Sequence, residues 1–247
     1  IKGLLLGIAV TAAIQSSSAT TVMVVGFVNS GIMKLSQAVG VIMGANIGTT
    51  VTSWILSLTG IQSDSMLLSL LKPSAFSPVV AAIGIYMYMK GKDGSKGKNI
   101  GMILLGFAVL MYGMSMMSGS IAPLREDPRF LSMMTSFINP IVGVIAGMLI
   151  TAVIQSASAA VGILQALAVT GAVEFDMAFP ILMGIGIGAS VPVMLSALGA
   201  STNGKRTAFV YLIIDVLGAV IVGSIFYILN AIIGFSFMHT TMTMAVS

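Results

Sequence analysis

Two stretches decide the fold: GLLLGIAVTAAIQSSSATT at Gly3–Thr21 and GVIAGMLITAVIQSASAAV at Gly143–Val161. Each is an apolar run whose middle is occupied by glutamine and serine. Displaced by 140 residues, the match runs without a gap from 3–58 onto 143–198, with 17 of 56 positions identical. The identities include Gly7/Gly147, Thr11/Thr151, Gln15/Gln155, Ser16/Ser156, Ser18/Ser158, Gly44/Gly184 and Gly48/Gly188. Apolar composition alone aligns Ile with Leu; it does not hold Gln-Ser-x-Ser in register. The chain is an internal duplication.

Composition sets the solvent. Of 247 residues, 57% are apolar and only 7% are Asp, Glu, Lys or Arg, where a soluble domain carries about 25% charged residues. Mean hydropathy is +1.08. Eighteen charges cannot cover a water-soluble globule of this size, and 11 scattered basic residues make no phosphate-tracking stripe for nucleic acid. Cysteine is absent and His239 is the single histidine, so thiolate and imidazole metal sites are excluded, while oxygen-ligated hard cations are not. What remains is an all-α polytopic membrane protein with room for six to eight spanning or half-spanning segments at about 20 residues per crossing. The opening IKGLLLG has neither Met nor a signal peptide, and it reads as the start of a piece of a longer protein.

Hydropathy and breakers divide the chain into repeat 1 over 1–65, linking helices over 66–139, repeat 2 over 140–204, and a terminal span with its tail over 205–247. The expected segments are 3–28, broken at Gln15; 38–58, broken at GANIGTT (Gly44–Thr50); 66–89, entered through Lys72-Pro73; and 100–122. They continue with 141–169, broken at Gln155; 177–198, broken at GIGIGAS (Gly184–Ser190); and 207–233. Lys90–Lys98 carries four Lys and one Asp, which places it in the cytoplasm. The balanced run Arg125, Glu126, Asp127 and Arg129 falls outside one crossing later. Lys205-Arg206 returns inside only if 141–198 holds an odd number of crossings, one re-entrant hairpin and one true span. Applied backwards, the same rule puts Asp64 outside and Lys34 and Lys2 inside. The two copies then have inverted topology, with re-entrant hairpins and broken transmembrane helices, as secondary transporters do.

The polar breaks need a chemical reason, because polar side chains within an apolar span are costly. A turn inside the bilayer exposes backbone amides and carbonyls. Serine and threonine cap helix N-termini, which attract anions, while the opposed C-terminal carbonyls suit Na⁺. Gln15, Ser16, Ser17, Ser18 and Thr20 form the first candidate binding cluster, and Gln155, Ser156 and Ser158 the second. Asn46, Thr49, Thr50 and Ser190 add side-chain oxygens at the glycine-rich segments, where small-residue packing is the competing reading. Asp215 is the acidic residue deep in an apolar run and is either a cation ligand or a packing partner. For Na⁺ the candidate ligands are Gln15, Ser17, Gln155, Ser158, Asn46 and Thr50. The twenty methionines read as core and lipid-facing filler.

With these motifs in place, the chain resembles the sodium-dependent phosphate cotransporter family, the bacterial relatives of the type II renal and intestinal carriers. The likeness rests on IQSSSATTVMVVGFVNSG from Ile14, VGVIMGANIGTTVT from Val39, LLKPSAFSP from Leu70, SGSIAPLREDPRF from Ser118 and AVIQSASAAVGILQALAVTG from Ala152. It implies symport of Na⁺ and inorganic phosphate across the bacterial inner membrane, with the two Gln-Ser regions holding substrate and ion near the protein centre. It implies a carrier rather than an enzyme, with Na⁺ as coupling ion and no other cofactor. Family members often have further N-terminal helices and a C-terminal PhoU-like helical domain, which leaves a PhoU-like partner and a homodimer open. Two departures stand out. Ala157 replaces the middle serine, and GIGIGAS replaces a Gln-Asn-Ile-Gly-Thr pattern, removing oxygen ligands from one half. A sodium-coupled carrier of another anion or small solute is therefore a competing expectation, and a channel or structural membrane subunit a third.

Overall fold

The computed structural model describes residues 1–57, 73–121, 123, 126–171 and 173–239. Asp64, Lys72, Arg125, the boundary at 65/66 and the tail beyond 239 lie outside the described residues. The fold is all-helical, with no strand among the described residues. In chain order the helices are α1 Lys2–Ile14, α2 Ser17–Asn29, α3 Leu35–Ser57, α4 Pro73–Lys90, α5 Lys96–Ile121, α6 Pro128–Ser136, α7 Pro140–Ile154, α8 Ala157–Val169, α9 Phe175–Gly188, α10 Ser190–Ser196 and α11 Thr202–Ile233, followed by a 3₁₀ turn at Ser236–His239.

The repeat read from sequence is a repeat of structure. In the first copy α1 and α3 lie side by side in the same direction, since Gly3 meets Gly40 and Val41, Gly7 meets Val41 and Ala45, and Gly48 meets Thr11. In the second copy Gly147 meets Ile181 and Ile185, Gly184 meets Val144 and Met148, and Gly188 meets Thr151, which pairs α7 with α9 in the same way. Glycine is required at these crossings: a Cβ on Gly7 would lie 2.1 Å from the Val41 carbonyl, and one on Gly147 would lie 2.1 Å from that of Ile181. Because α1 and α3 start at the same end, α2 carries the chain back. The Gln15-Ser16 turn thus closes a helical hairpin, and the Gln155-Ser156 turn closes its counterpart.

Length separates these helices from full spans. Thirteen residues of α1 or α2 reach about 20 Å, short of the roughly 30 Å hydrocarbon core. Among the described residues, two stretches are long and apolar enough to cross a membrane, Phe175–Ser196 and Thr202–Ile233, and α6 with α7 would add a third across a 109° bend. The α11 helix turns Phe209, Ile213, Val220, Ile221 and Ile225 outward, an apolar surface suited to lipid. Two clusters form the core: Val24, Val28, Ile42, Val193 and Tyr211 join α2, α3, α10 and α11, and Leu164, Met177, Ile181 and Ile185 join α8 with α9.

One expectation is corrected. The segment Gly44–Thr50 is no break: α3 runs as a continuous helix from Leu35 to Ser57. Its glycines serve contact, since a Cβ on Gly44 would sit 2.0 Å from the Leu4 carbonyl. The equivalent helix of the second copy does break, at Ala189. The difference is Pro192, which stands where the first copy has Thr52. Proline has no N–H to give the Gly188 carbonyl, and its ring crowds that turn.

Candidate functional site

Both glutamines hold the same unusual backbone. Gln15 ends α1 at φ 61°, ψ 27°, and Gln155 ends α7 at φ 59°, ψ 21°. They are the non-glycine residues with positive φ among the described residues. A β-carbon in that region costs about 1–2 kcal/mol, and glycine would avoid the cost. The amide side chain is therefore what both copies retain. Gln15 Nε2 donates to the Ala12 carbonyl at 2.5 Å, and both glutamine side chains are exposed.

The next residue opens the returning helix. Ser16 Oγ accepts from the Ala19 amide at 3.1 Å, and Ser156 Oγ accepts from the Ala159 amide at 3.2 Å. The amides of the first turn thus gather at Ser16–Ser18 and again at Ser156–Ser158, each at the positive end of a helix. Beneath the first turn, Thr11 Oγ1 donates to Thr20 Oγ1 at 3.0 Å, and Thr20 Oγ1 donates to the Ser16 carbonyl at 2.9 Å. In the second copy Ala160 stands in place of Thr20, and Thr151 Oγ1 is buried without a hydrogen-bond partner among the described residues. The Ser158 hydroxyl lies 3.3 Å from that of Ser156.

Beyond the shared apolar core, hydrogen bonds join the copies. Ser18 Oγ donates to the Ala189 carbonyl at 3.4 Å, at the break of the second copy, and Asn29 Oδ1 accepts from the Ser201 amide at 2.7 Å. The α2 helix therefore runs alongside residues 189–201 in the same direction. From the other copy, Gln165 Nε2 of α8 reaches the Ser53 carbonyl of α3 at 3.5 Å.

A polar cluster lies where α2, α3 and α11 meet. Asn46 Nδ2 donates to Asp215 Oδ1 at 2.5 Å, and Asp215 Oδ2 is buried with no donor among the described residues. Tyr211, 1% exposed, lies between Ser17 and Asp215 and interacts with both. The structure thus brings Ser17, Asn46 and Asp215 together. Thr49 and Thr50 turn their hydroxyls onto their own helix, donating to the carbonyls of Ala45 and Ile47, and Ser190 donates back across the break to the Ile187 carbonyl, which leaves their lone pairs as acceptors. Sequence reasoning missed Tyr211. Its signal was available, since it precedes Asp215 by one helical turn and shares its face.

Comparison with known proteins places this architecture. The model of the Na+/Pi-cotransporter family matches residues 1–119 and 125–246. A Bacillus subtilis protein named "Uncharacterized protein YqeW" is 26% identical over 225 residues, 90% of this chain and 68% of that protein. An Escherichia coli protein named "Putative inorganic phosphate export protein YjbB" is 25% identical over 217 residues, 87% of this chain but 37% of its own length. The sheep sodium-dependent phosphate transport protein 2A is 50% identical over 58 residues, 24% of this chain and 9% of its own. No solved structure matches. The family match runs through both Gln-Ser turns, and the chain belongs to the Na+/Pi-cotransporter family.

Proposed function

We propose that this chain is the membrane core of a sodium-coupled symporter that imports inorganic phosphate by alternating access. The observation that carries the reading is the pair of left-handed glutamines, each followed by a serine-capped helix start, at equivalent positions of a duplicated unit. Two helix N-termini with serine hydroxyls offer donors to a phosphate oxyanion. The Asn46–Asp215 pair offers a buried negative charge to the cation. Gln15, Ser16, Ser17, Ser18, Thr20, Gln155, Ser156 and Ser158 line the proposed anion path, and Asn46, Thr49, Thr50, Ser190 and Asp215 supply oxygens for Na⁺.

The same contacts support inverted topology. The α2 helix runs against α3 in its own hairpin and runs with residues 189–201 of the other copy, so α3 and the α9–α10 helix point in opposite senses. Hairpins of helices only 13 to 15 residues long are short for two full crossings, which supports re-entrant Gln-Ser turns. Matched, oppositely directed halves around one site are the geometry of alternating access. The bacterial plasma membrane is the proposed location.

A second reading, export of phosphate, is favoured by the printed name of the Escherichia coli relative. Flux of labelled phosphate in vesicles of fixed orientation separates the two. Import predicts accumulation driven by an inward Na⁺ gradient, with no accumulation under K⁺. Net efflux from phosphate-loaded vesicles under the same gradient would support export, and Na⁺-independent flux would end the coupling claim. Competition by arsenate but not by organic anions is the outcome expected of a phosphate site.

A further inference from the structure

Among the described residues Tyr211 is the largest side chain that the fold buries completely. A phenol at that depth needs a partner for its hydroxyl, and two polar groups flank it, Ser17 and Asp215. Ser17, 6% exposed, is the first residue of α2, in the turn where the proposed anion site gathers its donors. Asp215 follows Tyr211 by one turn of α11. Its Oδ1 accepts from Asn46 Nδ2 at 2.5 Å, while its Oδ2 is buried with no donor among the described residues. Tyr211 thus stands between the proposed anion and cation sites, packed among Val24, Val28, Ile42 and Val193.

We propose that the Tyr211 hydroxyl couples cation binding to anion binding by setting which way the Ser17 hydroxyl points, a role that rests on the symport reading above. A phenol and a serine hydroxyl each carry one hydrogen and accept through lone pairs. Beside a bare carboxylate, the Tyr211 O–H is drawn toward Asp215, and the Ser17 O–H turns to the phenol oxygen. Ser17 then shows lone pairs to the anion path and repels a phosphate oxygen. With Na⁺ against Asp215 that pull is cancelled: Tyr211 donates to Ser17, and Ser17 donates to phosphate. Each hydrogen stays on its own oxygen, and only the direction of the chain reverses. Hydrogen bonds in series strengthen one another in a low-dielectric interior, which makes the direction of this short chain count. By linkage, phosphate tightens Na⁺ by the same factor that Na⁺ tightens phosphate.

Equilibrium binding of labelled phosphate to the purified protein, in NaCl and in choline chloride of equal ionic strength, tests the relay. The parent is expected to bind phosphate at least about tenfold more tightly in Na⁺. Direct attraction between the two ions survives Tyr211→Phe, but the relay does not. This variant keeps the ring and should shrink the ratio to about twofold. Na⁺ added without phosphate should still raise its melting temperature as in the parent, since Asp215 and Asn46 are intact. Ser17→Ala should shrink the ratio to the same extent and the double variant no further, because both substitutions break one chain. A folded Tyr211→Phe protein with the parental ratio overturns the relay, as does a double variant whose losses multiply. Loss of the Na⁺ stabilisation in Tyr211→Phe also overturns it, by making Tyr211 a support of the cation site alone. If Tyr211→Phe does not fold, a parental ratio in Ser17→Ala overturns the relay by itself. A parent that binds phosphate equally in both salts overturns the symport reading, and the relay with it.

Discussion

A glutamine at positive φ is informative because glycine would be easier. Gln15→Gly and Gln155→Gly remove about 1–2 kcal/mol of backbone strain against a smaller entropic loss, so the melting temperature should hold or rise in detergent while transport disappears. A purely structural turn would keep transport. A second residue-scale prediction uses one substitution at two equivalent sites. Thr11→Val breaks the bond to Thr20 and should destabilise by about 1 kcal/mol, whereas Thr151→Val removes an orphaned buried hydroxyl and should stabilise by a similar amount. Thermal unfolding of the two variants should move in opposite directions; equal shifts would contradict the asymmetry of the two turns. At this scale the sequence was readable where polarity stood out against an apolar run, as at Gln15 and Asp215. The bond from Asn46 to Asp215 was not readable, because it joins residues far apart in the chain, on α3 and α11, and no local spacing encodes it.

Helices break for backbone reasons that composition only partly reveals. The dense glycines of Gly44–Thr50 suggested unwinding, yet α3 is continuous there, and those glycines admit a neighbouring backbone instead. One proline in the second copy makes the difference. Pro192→Thr restores the missing N–H and should fuse α9 with α10, raising the melting temperature. It should also lower transport, because straightening the helix at Ala189 displaces the carbonyl to which Ser18 Oγ donates. Unchanged transport in a more stable Pro192→Thr protein would show that the break is incidental. Glycine contacts are less forgiving. Gly44→Val drives a side chain into the Leu4 carbonyl and should cost about 3 kcal/mol or more, read as loss of folded protein on size exclusion.

For the whole molecule, duplication and hydropathy carried most of the fold. Seventeen identities established the two copies, and the parity of basic loops predicts an opposite orientation for them. The packing of α2 against residues 189–201 supports the same arrangement. Because the chain lacks cysteine, single cysteines introduced at Lys34 and Glu174, equivalent positions of the two copies, report sidedness without background. Membrane-impermeant maleimide should label them from opposite faces of intact vesicles, and labelling from one face would contradict the inverted arrangement. The asymmetry of the halves was legible as missing oxygens, at Ala157 and in GIGIGAS (Gly184–Ser190), but its consequence needed coordinates: the polar cluster of Ser17, Asn46, Tyr211 and Asp215 gathers on the first copy and α11.

The central claim is that the twin Gln-Ser turns hold the transported anion. Sodium-driven uptake of labelled phosphate into proteoliposomes, with parent, Gln15→Gly and Gln155→Gly proteins reconstituted in equal folded amounts, tests it most directly. The account predicts concentrative uptake by the parent and none above the protein-free background by either variant. Uptake by both variants at the parental rate would contradict it.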